Sequence, residues 1–524
     1  LNKRNILCVF FLTVLIFLFS FVTEKSFAGE IKSEAGYITS KIAYFIFVYF
    51  SIYFLSSFII NIKQNKKWVI NFLWFFIPLC LWLIATWPGI YTWDEFFVYD
   101  SATHFIIENW QSYFTSYFYI ICMYIFPSVA MIQLVQILIM SFVCSWIVTK
   151  LEERFKIKKI KYVIIIFTVL WPPIVFSTLI TFRSTLLAVF ELWLIAYIYF
   201  LKPQEKLTIN SLFIMGFLTI LLSMWRTEGI YHLIIVSIYL LLFYGRQQKK
   251  IIIQFIVAIF LCTFILQNAY SFLKHDDFND MRYELTAYMN PISIILSDKN
   301  VNLENVDLNK INKVINIENT KSNISYYETP SFWSNGVQPN FTKSDLQAFK
   351  KEYTKLVLKN IDIFMGARTR TFVAASGFSL NGYYVSDYID AYLNGQANNP
   401  SVTLMMSKKF NNPINSELRH YIIQYMNFTK NSIGLVNGIL IFWNFIPLVL
   451  CLIFIGIRLR SWRDPLLYMI LLCILRVPLL FLVEPGSYFM YYYPLYLASG
   501  FIIIVYFLSR AKKLKSNSDI KAIY

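Results

Sequence analysis

The sequence predicts an all-α polytopic membrane protein with about twelve transmembrane helices, 11 to 14 being allowed, and one large, mainly helical insert. Three observations carry that class. Hydrophobic residues make up 57% of the 524 positions and charged residues only 15%, with a mean hydropathy of +0.55, whereas roughly a quarter of a soluble domain is charged. Apolar runs near the roughly 20 residues that cross a bilayer as helix recur along the chain. The polar connections between them alternate in charge.

The runs fall at 6–27, 38–61, 68–87, 129–149, 160–181, 184–202, 209–225, 229–245, 250–270, 432–457, 464–482 and 488–509. Every second connection is basic: Lys3 and Arg4; Lys63, Lys66 and Lys67; Lys150 to Lys161; Lys202 and Lys206; Arg246 to Lys250; Arg458 to Arg463; and the tail from Arg510. The positive-inside tendency puts these, and both termini, in the cytoplasm. It thereby explains the formal net charge of +17 without a nucleic-acid surface, for which no motif is present. The organisation that follows is an N-terminal membrane module, 1–270, whose first outer loop is 88–112. An extracytoplasmic domain (271–431), C-terminal membrane helices (432–509) and a basic cytoplasmic tail (510–524) complete it. The first run is read as a retained helix, since its apolar core exceeds that of a signal peptide. Segment 113–127 is apolar but short and ends at Pro127, which suits a re-entrant or interfacial element. All seven cysteines lie in apolar segments, so they read as small core residues and not as a disulfide framework.

Orientation gathers the unusual polar residues at the outer face. Asp94, Glu95, Asp100 and His104 lie among aromatic residues after the Pro88-Gly89 turn; Arg183 occupies a tight turn at 182–185; Arg226 and Glu228 sit in WRTEG; Glu484 and Tyr488 open EPGSYFMYYYP. The aromatics alone are what any membrane interface carries, Arg226 and Glu228 could be a local ion pair, and Arg183 could snorkel. Three carboxylates within seven residues beside a helix end are less easily structural, because crowding and desolvation shift carboxyl pKa values and can position a base.

The motifs WPGIYTWDE (87–95), Asp100-x-x-x-His104, NWQSYFTSYFY (109–119), LLSMWRTEGIY (221–231) and YYYP (491–494) give the chain a resemblance to the GT-C superfamily of integral membrane glycosyltransferases. It is most similar to bacterial members related to protein-mannosyltransferases and RgtA–D-like enzymes. The resemblance covers most of 65–270 and 432–509. One departure is that two spans, not one, precede the helix leading to the acidic loop.

The resemblance implies transfer of a sugar from a polyprenyl-phosphate donor to an extracytoplasmic acceptor. That acceptor would be a cell-envelope glycan, a teichoic acid-like polymer or a glycolipid, and the enzyme would work at a bacterial plasma membrane. Asp94 or Glu95 would be the carboxylate base, since an alcohol is a poor nucleophile until its proton is taken. Arg183 and Arg226, with Arg368 and Arg370 of GARTRTF, would hold the lipid phosphate, which arginine pairs bidentately. Asp100, His104, Glu228 and Tyr488 complete the expected substrate contacts. No cofactor is expected, a divalent cation at the acidic loop being the minority alternative. Rival readings are a lipid-linked oligosaccharide polymerase or ligase using a pyrophosphate donor, a transporter with ionisable residues near the midplane, and a noncatalytic envelope scaffold.

Within the insert, 305–318 has helical aliphatic spacing. The segment 343–372 predicts a helix capped by Ser344 with Leu346, Phe349, Tyr353, Leu356 and Leu358 on its apolar face, delivering Arg368 towards the lipid phosphate. Residues 373–415 read as loops.

Overall fold

A computed structural model describes residues 3–521, apart from 61, 92, 109, 111, 158, 202–204, 271–276, 379–409, 411, 430–431, 434–435 and 460. The described chain is nearly all helix. Its first part runs α1 (Lys3–Phe27), α2 (Glu34–Ile60), α3 (Ile62–Ala85), α4 (Trp93–Thr103), α5 (Tyr113–Ile125), α6 (Ala130–Phe155), α7 (Ile160–Leu170), α8 (Pro172–Leu179), α9 (Arg183–Phe200), α10 (Ile209–Trp225) and α11 (Tyr231–Tyr270). Among the described residues nine helices are long and apolar enough to cross a membrane, or ten if the bent pair α7 and α8 forms one span. The protein is a polytopic helical membrane protein.

Where the structure divides the chain differently from the hydropathy, the reason is local. The run 160–181 bends by 58° between α7 and α8, because Pro172 and Pro173 supply no amide hydrogen to continue the ladder. The runs 229–245 and 250–270 are joined as α11, whose one non-helical residue is Gln248 (φ −136°, ψ 34°). Gly229 lies against Leu222, the Gln248 side chain bonds both backbone groups of Leu207 (2.8 and 3.2 Å), and Phe255 and Ile259 lie against Gly216. Contacts at 222, then 207, then 216 mean that α11 descends along α10, turns at Gln248 beside the basic Arg246, Lys249 and Lys250, and climbs back. α5, with 13 residues, is about 20 Å long, short of a roughly 30 Å hydrocarbon core.

The insert begins with α12 (Asp277–Glu284) and α13 (Thr286–Ser297). It continues through α14 (Leu308–Asn312), α15 (Ile317–Ser322), α16 (Pro330–Trp333), α17 (Lys343–Lys359) and α18 (Ile361–Ala375). Its own core includes Met289, Ile292, Ile311, Phe349 and Leu356. Thr342, not Ser344, caps α17: its hydroxyl accepts from the Asp345 amide while the Asp345 carboxylate accepts from the Thr342 amide. That reciprocal pair satisfies two otherwise orphaned donors. Leu346, Phe349 and Leu356 are buried as expected, but Leu358 points outward, 70% exposed, and the helix ends at Asn360, whose side chain bonds Asn302. Most of the loop reading for 373–415 lies outside the described residues.

The chain returns through α19 (Ser416–Phe428), a short antiparallel pairing of Ile433 with Val436, α20 (Gly438–Phe442), α21 (Ile446–Arg458), α22 (Pro465–Ile474), α23 (Arg476–Val483) and α24 (Tyr493–Lys521). α9 packs along α24 and α10, and α3 along α6. These helices share the large apolar core, while α1 and α2 pack with α4 and α5 in a second one.

Candidate functional site

The loop after α3 fixes the position of α4. Gly89 has φ +127°, a left-handed value that favours glycine, and it closes on Gln133 of α6. The Tyr91 hydroxyl meets the Val129 carbonyl and Gln133 Oε1, each at 2.5 Å. The Ile90 amide donates to Leu179 O at 3.3 Å, forming a parallel bridge to Ile180. Gln136 holds the other side of that bridge through the Thr178 and Ile180 carbonyls. Acidic loop and Arg183 turn are thus tied together four residues before Asp94 and three before Arg183.

Asp94 and Glu95 occupy the first turn of α4, where the helix dipole favours negative charge. Successive helical residues point about 100° apart, so the two carboxylates face different surroundings. Glu95 is buried, 2% exposed, within electrostatic reach of Tyr91 and Tyr119. Asp94 is half-buried and acts electrostatically on Arg183 and on the Tyr283 phenol of the insert.

Arg183 begins α9 and donates to the Trp110 carbonyl at 2.5 Å; it also hydrogen-bonds Tyr283, whose ring lies 5.1 Å from that of Trp110. The Trp225 indole donates to the Arg183 carbonyl at 2.8 Å, which brings the end of α10 alongside. Arg226 follows directly, its guanidinium 4.8 Å from the Tyr491 ring and its Nε paired with Glu228 Oε1. After Arg226 the chain makes a 3-10 turn, Thr227–Ile230, which carries Glu228. There a Cβ at Gly229 would collide with the Leu222 carbonyl, which explains the glycine of WRTEG. Burial lowers the Arg226 pKa and the Glu228 charge opposes that; burial raises Tyr283, opposed by Arg183 and Arg226.

Behind this cluster lies a buried chain of charges. Arg476, at the start of α23, donates from Nη2 to Glu191 Oε2 at 2.6 Å, and its Nη1 stands 3.6 Å from Glu228 Oε1. His232 Nε2 is 3.6 Å from Glu191 Oε2, and its Nδ1 is 2.8 Å from Gly229 O. Glu191, His232 and Arg476 are fully buried. Sequence reasoning passed over all three, although a charge inside an apolar run is itself the signal.

Of the other expected members, only Tyr488 adjoins the cluster. Asp100 is exposed and 4.0 Å from His104, whose ring lies against Gly29 of the loop between α1 and α2. Arg368 is wholly buried and bonds the carbonyls of Glu484 (2.6 Å) and Ala287 (3.3 Å), so it locks the insert to the chain before α24 instead of presenting its fork to a ligand. Arg370 lies 4.4 Å from the Tyr326 ring. Tyr488 packs edge-on to Tyr491 at 5.9 Å, beside the cluster. The Glu484 carboxyl accepts from Tyr492 at 2.8 Å, and burial pushes its pKa up to about 8 despite that bond and the Arg368 charge. Among the described residues no three His, Cys, Asp or Glu side chains converge as a metal-binding group.

The family model of a family of unknown function (DUF6020) matches residues 125–519. The chain belongs to that family. Arg183, Glu191, Arg226, Glu228, Arg476 and Tyr491 lie inside the matched region and Asp94 before it. No curated protein and no solved structure matches the chain.

Proposed function

We propose that this protein is a membrane glycosyltransferase of the GT-C kind. It would move a sugar from a polyprenyl-phosphate donor to an acceptor of the cell envelope, at the outer face of a bacterial plasma membrane. The observation that carries the reading is the meeting of Asp94 with Arg183 and Tyr283, which in turn adjoin Arg226 and Tyr491, where the insert caps one end of the bundle. On this reading the two limbs of α11 are separate crossings, α7 with α8 one and α10 another, which brings the count to twelve.

In the reaction the acceptor hydroxyl forms a bond to the anomeric carbon as the bond from that carbon to the phosphate oxygen breaks. Asp94 takes the hydroxyl proton. The leaving polyprenyl phosphate gains negative charge, which Arg183 and Arg226 stabilise with the positive end of α9. Glu228 and Tyr491 hold Arg226 in place, and Arg476 steadies Glu228 from behind. Glu95, enclosed by tyrosines, is assigned to holding α4 and not to the proton.

The test is transfer of labelled sugar by the purified protein in lipid from a panel of donors. Turnover with a monophosphate-linked sugar is expected. Transfer only from pyrophosphate-linked oligosaccharides would replace this reading with a polymerase or ligase, and inactivity with every donor in the presence of envelope acceptors would remove the glycosyl-transfer reading.

A further inference from the structure

The helices that bring Arg183 and Tyr491 to one end of the bundle run to a second site at the other. α9 has 18 residues from Arg183 to Phe200, about 27 Å, close to one hydrocarbon thickness. At its far end lies a cavity of about 900 Å³, lined among others by Arg154, Arg458, Arg510, Lys512, Tyr199 and Tyr506. We propose that this cavity binds the phosphate of an anionic phospholipid from the leaflet at that end of the bundle.

The positive-inside tendency alone would scatter cations over the helix ends. Here four cations, from the ends of α6 and α21 and from α24, border a single cavity, over a floor in which Tyr199 and Tyr506 are buried. Arg154 is fixed in place: Nη1 donates to Tyr199 O at 3.0 Å, its guanidinium stands 4.3 Å from the Tyr199 ring, and its own carbonyl accepts from Lys512 Nζ at 3.2 Å. Asp464 is the acid of the lining, and its Oδ1 already accepts the Leu466 amide as the cap of α22. The positive charge therefore exceeds what the lining neutralises, and an anion is what such a site takes.

The surroundings favour a lipid over a soluble anion. Ile457 and Trp462 flank Arg458 and Ser461 of the lining with 78% and 74% of their surfaces exposed, the placement of side chains set at headgroup depth. Leu459 and Leu466 add apolar wall beside the cations, suited to the glycerol and first acyl carbons. A phosphate diester flanked by juxtamembrane arginines follows the same electrostatics as other basic lipid sites.

Native mass spectrometry of the full-length protein in nonionic detergent tests this, with dioctanoyl-phosphatidylglycerol and dioctanoyl-phosphatidylcholine as probes. Saturable binding of the anionic lipid is expected, roughly tenfold or more weaker in an Arg154→Gln/Arg458→Gln double variant and unchanged in Lys249→Gln/Lys250→Gln, whose basic residues lie off the cavity. Unchanged binding in the presence of inorganic phosphate at the same concentration would assign the site to the lipid; competition by phosphate at that concentration would keep a phosphate site but make its source soluble. Equal binding of the two lipids, or a double variant that binds like the wild type, overturns the proposal. Sugar transfer is not read in this experiment, so its outcome is independent of the enzymatic reading.

Discussion

The two ends of the bundle use arginine in opposite ways. At the Asp94 end Arg226 and Arg476 are buried, and each faces a carboxylate. At the other end Arg154, Arg458 and Arg510 are exposed around an open cavity whose acid already serves as a helix cap. Buried arginines in a fixed network cost desolvation on folding and return geometry, which a reaction needs. Exposed ones keep their hydration, and a lipid headgroup can reach them without any rearrangement of the fold.

If that contrast is right, removing a charge should disturb folding at the first end and only binding at the second. Arg476→Met leaves Glu191 buried without its arginine and should cost about 3–5 kcal/mol of stability. The double variant Arg476→Met/Glu191→Leu should recover much of it, read from thermal unfolding in detergent. A double variant no more stable than Arg476→Met would mean that the pair is not the unit the structure presents.

Arg183→Gln should be smaller in stability but plain in turnover, lowering donor-dependent transfer roughly tenfold to a hundredfold, the worth of a charged hydrogen bond of about 1.5–3 kcal/mol. Arg370→Gln, whose exposed guanidinium lies over the Tyr326 ring, should leave transfer within about twofold, since exposed substitutions outside such networks rarely exceed about 0.5 kcal/mol. Equal losses in the two variants would erase the distinction between them.

The last effect depends on pH and concerns Glu484, whose carboxyl is raised from 4.5 to about 8. The unfolded chain ionises this group near the ordinary value while the folded chain keeps its proton. Its contribution therefore favours the folded state fully below pH 4.5 and is lost as pH rises to about 8. Glu484→Gln should flatten the stability profile across that window. An unchanged profile would remove Glu484 from the account of how the insert is held.

Much of the site could be read from sequence because its residues stand at helix ends, where polarity interrupts an apolar run: Asp94, Arg183, Arg226 and Glu228 were all exposed to inspection in that way. The choice between Asp94 and Glu95 was not, since adjacent residues share every sequence feature and differ only in the direction a helix gives them. Glu191, His232 and Arg476 were hidden inside runs averaged as hydrophobic. Arg368 was expected as a phosphate ligand from its residue type and the resemblance, but it bonds a carbonyl 116 positions away, which no local pattern specifies. In the membrane region the basic residues around Gln248 marked a turn that helix continuity alone would have missed. In the insert, Ser344 and Thr342 are both acceptable caps by type, and only the Asp345 pairing selects Thr342.

The central claim is that Asp94 takes the acceptor proton beside the arginines. Sugar transfer from a polyprenyl-phosphate donor by the wild type, compared with Asp94→Asn and Glu95→Gln proteins of matched thermal stability, tests it most directly. The account predicts a loss of roughly 10²–10⁴-fold in turnover for Asp94→Asn, the range typical of a general base, and a far smaller change for Glu95→Gln. Comparable turnover in folded Asp94→Asn protein would contradict it.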